Sequence, residues 1–223
     1  MEPVRFESGD GTLLEGELRM PEESPRGSAV ICHPHPEQGG SKDHPLLWAI
    51  RNDLAARGFA VLSFNFRGVM GSGGGHTGGV REIEDARAAV GRAREAASGP
   101  TFVAGWSFGA NVALREAVQD ERVGALALVG MPLAESTVTL PPIPDRVALA
   151  AFDRPVLLVA GEADQFCPLP ELRNLARRLP RAEVAMVPGT DHFFWKRERE
   201  VAERIGEFAD EALLREEPER ADS

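Results

Sequence analysis

A serine set between two glycines is the segment of this chain with the clearest chemical capacity. Gly105-Trp106-Ser107-Phe108-Gly109 follows the apolar run TFVA and precedes ANVALREAV, which has helical periodicity. A serine hydroxyl is a weak nucleophile until a tight strand-to-helix turn holds it away from the backbone, and flanking glycines permit the close approach such a turn requires. The helix N-terminus that follows favours the negative charge that develops as the hydroxyl attacks a carbonyl. Ser107 is therefore the candidate nucleophile; the competing reading is a chance GxSxG in an ordinary strand-helix turn.

Three other segments extend the pattern. Gly161-Glu162-Ala163-Asp164 follows the run VLLVA and leads to Pro168. Gly189-Thr190-Asp191-His192-Phe193-Phe194 follows the last apolar run, and Cys32-His33-Pro34-His35-Pro36-Glu37-Gln38-Gly39-Gly40 follows the first long one. With these segments the chain resembles the α/β-hydrolase superfamily, whose acting residues occur in the chain order serine, acid, histidine. The resemblance implies that Asp164 orients the base, with Glu162 a nearby competitor, and that His192 is the general base. A neutral imidazole there can take the Ser107 proton and later return it to the leaving group. Asp191 is expected to shape the loop.

The same resemblance implies an oxyanion hole of two backbone N–H groups, one from the residue after the nucleophile, Phe108, and one from the loop after the first long strand. Pro34 and Pro36 have no N–H to give, so His35 is the natural second donor.

The HPHP…GG pattern, taken with Asn65-Phe66-Arg67-Gly68-Val69 and Gly71-Ser72, resembles small lidless bacterial hydrolases related to dienelactone hydrolases and carboxylesterases, from about Ser28 to Phe194. This implies hydrolysis of a small carboxylic ester, thioester or lactone through an acyl-enzyme, with no cofactor. Trp106, Phe108, Phe193 and Phe194 near the site point to a modest apolar group on the substrate. A reading from another class is a hydrolase-fold protein that has lost turnover and serves as a binding or interaction module. The resemblance gives Arg67 a supporting role around the site, while Arg67 alone reads equally as a surface ion-pair partner. His76 departs from the pattern, standing where such relatives carry an acidic residue. The glycines of GSGGGHTGG predict a mobile loop near the site.

Other motifs carry less. His33, His35 and Glu37 have the look of a metal set, but Gln38-Gly39-Gly40 lacks the further Asp and His of β-lactamase-type metallohydrolases, so no metal is expected. Gly73 to Gly78 satisfies GxGxxG by glycine content alone, without the acidic strand end a dinucleotide site needs. Cys32 and Cys167 read as free thiols, and Cys167 as loop packing.

Strands and helices must bring these loops together. Non-alternating apolar runs at Ser28–Cys32, Ala60–Phe64, Thr101–Ala104, Ala125–Val129 and Val156–Ala160 read as strands covered on both faces, and a sixth strand, Glu183–Val187, comes last. Helical patterns lie between them at Pro45–Arg57, Arg81–Ala97, Ala110–Gln119, Pro170–Leu179 and Arg197–Leu214. A hairpin is expected between Val4 and Met20. The alternation predicts one doubly wound α/β domain over residues 1–215, with an eight-stranded, mostly parallel sheet and a frayed polar tail at 216–223. The segment Met131–Phe152, with its four prolines, is too short for a substantial lid. A net charge of -10 disfavours nucleic acid and anionic membranes as partners, leaving a small-molecule substrate. No signal peptide or membrane-length apolar run is evident, so a cytoplasmic protein is expected, as a monomer or homodimer.

Overall fold

The apolar runs become the strands of one eight-stranded sheet in the computed structural model, which describes residues 1–99, 101–134 and 138–214. The tail expected to fray at 216–223 lies outside the described residues. The strands are β1 (Glu2–Glu7), β2 (Leu13–Arg19), β3 (Gly27–Cys32), β4 (Phe59–Phe64), β5 (Thr101–Trp106), β6 (Val123–Val129), β7 (Val156–Gly161) and β8 (Ala182–Val187), ordered β1-β2-β4-β3-β5-β6-β7-β8. The β1–β2 hairpin is antiparallel and joins β4 antiparallel; β4 through β8 pair in parallel.

Helices cover both faces, which is why the central strands show no polar alternation. Helices α1 (Pro45–Ala56) and α6 (Glu198–Leu214) pack on one face, where Leu46, Ile50, Ile205 and Phe208 meet Ala29, Ile31 and Val61. Helices α2 (Glu82–Arg94), α3 (Phe108–Ala117), α4 (Arg146–Ala151) and α5 (Leu169–Ala176) serve the other, where Val90, Leu114, Leu149 and Leu172 meet Val30, Leu62 and Val103. Each fully buried Leu, Ile or Phe contributes roughly 1.5–3 kcal/mol relative to exposure, so these two layers supply most of the driving force.

The doubly wound architecture is the one expected, with local differences. Helix α3 starts at Phe108, two residues earlier than its apolar periodicity indicated, because Ser107 occupies the N-cap position. Helix α4 falls inside the proline-rich 131–152 segment, where Asp145 caps it by accepting the Ala148 N–H at 2.8 Å. The described residues of that segment hold this single short helix and no lid domain. Among the described residues, no helix is long and apolar enough to cross a membrane.

Parallel strands put their carboxyl ends on one rim, and the loops singled out from the sequence all leave from it. His33–Gly40 follows β3, Asn65–Arg67 follows β4, Ser107 follows β5, Asp164 follows β7 and His192 follows β8. Such a rim is where open α/β sheets bind ligands.

Candidate active site

The turn that carries Ser107 is shaped by steric exclusion. A side chain at Gly105 would overlap the Gly109 carbonyl, and one at Gly109 would overlap the Cys32 and His33 carbonyls, so only glycine lets the turn settle against the end of β3. Ser107 itself has φ 56°, the left-handed region, at a cost of about 1–3 kcal/mol. Its N–H donates to the Val129 carbonyl at 2.8 Å and its carbonyl accepts the Ala110 N–H at 2.9 Å, which hold that conformation. Phe108 is the first helical residue, and its N–H has no acceptor within the helix.

The fold brings Ser107, His192 and Asp164 together across 85 and 28 residues of sequence. Ser107 Oγ lies 2.9 Å from His192 Nε2, and His192 Nδ1 lies 3.0 Å and 3.1 Å from the two oxygens of Asp164. One tautomer satisfies every group: Nδ1–H donates to Asp164, and Nε2 accepts from the Ser107 hydroxyl. All three residues are buried. Asp164 Oδ1 also accepts the N–H groups of Phe166 and Cys167, at 2.9 and 3.1 Å, which fixes the carboxylate in its loop. Glu162, its competitor in the sequence, is exposed and accepts the Gly189 N–H instead. Asp191 accepts the Phe193 N–H at 3.0 Å, the loop-shaping role expected of it.

His35 and Phe108 are neighbours beside this chain of bonds, with ring centroids 5.0 Å apart. The His35 carbonyl accepts the N–H groups of Gln38 and Gly40, both at 3.0 Å, which closes the loop into a tight turn. His33 fastens the loop from beneath: Nδ1 bonds the Pro34 carbonyl at 2.6 Å and Nε2 accepts the Phe66 N–H at 3.0 Å. Burial pushes the His33 pKa down to about 4, so the ring is neutral, as the accepting Nε2 requires.

A pocket of about 380 Å³ opens above Ser107, walled by Trp106, Phe108, Phe166, Phe193 and Trp195 with His44 at its edge. The described residues that line it include no Asp, Glu, Lys or Arg. Phe194, expected near the site, is instead turned by a φ of 54° into the core beneath α1 and α6. Trp195 takes the place on the wall. His44 is half-buried, its ring tilted against Trp106 with centroids 4.3 Å apart, and burial lowers its pKa.

Sequence reasoning missed Gly130, at the end of β6. It has φ 52°, and a Cβ there would lie 3.2 Å from both Asp164 Oδ2 and His192 Nδ1, so the acid-base contact is built against a residue without a side chain. A lone glycine directly after an unbroken apolar strand was the available signal. Trp106 was noticed for its ring; its Nε1–H also donates to the His192 carbonyl at 3.2 Å and anchors the histidine loop.

Two expectations need correction. Arg67 is not a surface ion-pair partner: it is 2% exposed and grips buried Asp85 through Nε and Nη2, with Nη1 on Asp10 at 2.9 Å and Nη2 on Ser8 at 3.0 Å. Burial opposes its charge, but the two carboxylates outweigh that and raise its pKa. The glycine-rich loop, expected to be mobile, is tied down. The Gly73 N–H donates to Leu13 O, the Gly71 N–H to Glu15, and Thr77 to Glu82 through both its N–H and its hydroxyl. Both cysteines are free, as expected, and burial pushes both thiols up, which leaves Cys167 protonated and unreactive. Of the residues that had the look of a metal set, His33 faces Phe66; His35 and Glu37 lie instead with His76.

Comparison with known proteins agrees with this fold. A family model described as an alpha/beta hydrolase domain matches residues 28–213. An uncharacterized protein of Rickettsia prowazekii is 25% identical over 214 residues, covering 92% of this chain and 88% of that protein. An alpha-beta serine hydrolase homologue from Coxiella burnetii superposes with a TM-score of 0.78 at 25% identity, over 92% of this chain and 96% of its own. A lidless serine hydrolase from Xanthomonas campestris gives a TM-score of 0.79 at 24% identity, over 95% of this chain and 94% of its own, and at that identity shows the fold alone. With a family match that runs from β3 to the end of α6 and takes in every loop of the carboxyl rim, the chain belongs to the alpha/beta hydrolase family.

Proposed function

We propose that this protein is a serine hydrolase that cleaves a small, uncharged carboxylic ester, thioester or lactone through an acyl-enzyme intermediate. The observation that carries the reading is the buried, unbroken line of hydrogen bonds from Ser107 Oγ through His192 to Asp164, opening into an aromatic pocket whose described lining carries no charged side chain. In this reading His192 Nε2 removes the Ser107 proton as Oγ attacks the substrate carbonyl, and Asp164 holds the imidazole in the tautomer that can do so. The N–H groups of Phe108 and His35 receive the oxyanion, each such donor being worth about 2.7–4 kcal/mol in the transition state. His192 returns the proton to the leaving group, then activates water to release the acyl group and restore Ser107.

The description of the Coxiella relative as a serine hydrolase homologue supports the same reading. An anionic acyl group would leave water for a pocket whose described lining offers no cation, so neutral substrates are favoured. The protein is read as a single domain over residues 1–215, cytoplasmic, monomeric or homodimeric, and acting on a small molecule without a cofactor, nucleic acid or membrane.

Fluorophosphonate labelling tests the proposal. One adduct per chain is expected, mapping to Ser107 by peptide mass. Ser107→Ala should lose both the adduct and the hydrolysis of short-chain p-nitrophenyl esters while keeping its thermal melt. Full turnover by Ser107→Ala, or no adduct on the folded wild-type protein, would overturn it.

A further inference from the structure

Two imidazoles meet behind the oxyanion loop. The rings of His35 and His76 lie 4.8 Å apart at an interplanar angle of 64°, and both pack against Phe108, at 5.0 and 5.4 Å. Neither ring is used up by the protein around it. His35 is 5% exposed; its Nδ1 accepts the Glu37 N–H at 3.2 Å, and its buried Nε2 finds no hydrogen bond of acceptable geometry. Burial and the neighbouring His76 push the His35 pKa down, against a weaker pull from the Thr139 backbone, so the ring is neutral. The single lone pair of a neutral imidazole sits on the accepting nitrogen, here Nδ1, so ligation through Nε2 takes the other tautomer and gives up the 3.2 Å bond from the Glu37 N–H. On His76, Nδ1 lies 3.0 Å from Glu82 Oε1 without the geometry of a hydrogen bond, and neither buried nitrogen has a hydrogen-bond partner among the described residues.

Glu82 completes the pattern from behind. It is fully buried and accepts from the Thr77 N–H, the Thr77 hydroxyl and the Gly79 N–H, at 2.8, 2.6 and 2.8 Å. A carboxylate 3.0 Å from one nitrogen of a histidine stands where a small rotation of the ring makes the outer-sphere hydrogen bond that orients metal-ligating histidines. Glu37, exposed on the turn after His35, supplies an oxygen at the same place.

We propose that His35, Glu37 and His76 form a binding site for a divalent transition-metal ion of the Zn²⁺ class, held by two imidazole nitrogens and one carboxylate oxygen. One ligand atom from each residue lies within 4.8 Å of the others, the sole such group among the described residues. A tetrahedral zinc shell with ligands at about 2.0–2.2 Å needs them roughly 3.4 Å apart, so the three ligand atoms, now within 4.8 Å of one another, draw together on binding. Three protein ligands leave a fourth position for water. The bound ion would join the loop after β3 to the glycine-rich loop after β4. Because the backbone of His35 is proposed to hold the oxyanion, any effect of the ion on hydrolysis rests on that functional reading; binding itself does not.

Metal-stripped full-length protein titrated with Zn²⁺ by calorimetry, and with Co²⁺ followed by visible absorption, tests the site. One ion per chain is expected. His76→Ala and Glu37→Gln should each weaken it by at least the roughly 10–100-fold that loss of even an outer-sphere partner costs. Glu37 is exposed, so its variant keeps the fold and decides the matter should His76→Ala destabilise the loop. No uptake, or uptake unchanged in Glu37→Gln and in a folded His76→Ala, overturns the proposal. Fluorophosphonate labelling of Ser107 in the same metal-free samples reports separately on the hydrolase reading.

Discussion

At the scale of single residues, the proposed chemistry depends as much on what is missing as on what reacts. Gly130 presents no side chain to the contact between Asp164 and His192 and adopts a φ of 52°. Gly130→Ala would place a methyl group 3.2 Å from both partners and strain the backbone as well. The expected outcome is a fall in kcat/KM of about 10–100-fold on a short-chain ester, the order that sub-ångström to 1 Å displacement of reacting groups produces. Steady-state kinetics beside a thermal melt separates displaced chemistry from lost folding. Ser107, Asp164 and His192 were readable in the sequence because each lies within a few residues of the end of an unbroken apolar strand, so local pattern and chain order suffice. Gly130 was not, because its importance comes from two side chains contributed by later strands.

Elements are held to one another by a few buried charges, and these were the least readable part of the fold. Arg67 binds Asp85 at the start of α2 and Asp10 at the tip of the β1–β2 hairpin, the latter 57 residues away in sequence. An arginine in a loop looks the same in sequence whether it faces water or a carboxylate from another element, which is why the surface reading stood level with the supporting one. Asp85 is fully buried, so Asp85→Ala would leave the guanidinium buried with half its partners gone. A loss of about 3–5 kcal/mol in urea-measured stability is expected, the magnitude typical of breaking a buried ion pair on one side. Helix α4 escaped the sequence reading for a different reason: six residues are too few to show a period.

For the molecule as a whole, one buried acid sets a pH dependence. Glu116 on α3 is 1% exposed, and burial, followed by the nearby Asp120, pushes its pKa from 4.5 up to about 9. The folded protein therefore keeps a proton that the unfolded chain releases. The associated stability is fully present below pH 4.5 and is lost as pH rises through about 9. Glu116→Gln mimics the protonated form and should gain on the order of 1–3 kcal/mol at pH 8, with no gain near pH 4.5, as read by urea unfolding at the two values. The doubly wound layout was readable because the parallel strands β3 to β7 are nearly continuous apolar runs. The order in which the strands lie side by side was not, because nothing local in a strand names its neighbour.

That order has a consequence for the birth of the protein. Strand β2 pairs with β4, and β3 lies between β4 and β5, so early strands wait for partners still to be translated. As the chain leaves the ribosome, the first hairpin has no sheet to join until residues 59–64 emerge, and β3 stays open on one side until residues 101–106 follow. The nascent amino-terminal half exposes unsatisfied strand edges for that interval, which makes it the stretch of synthesis during which a chaperone matters most.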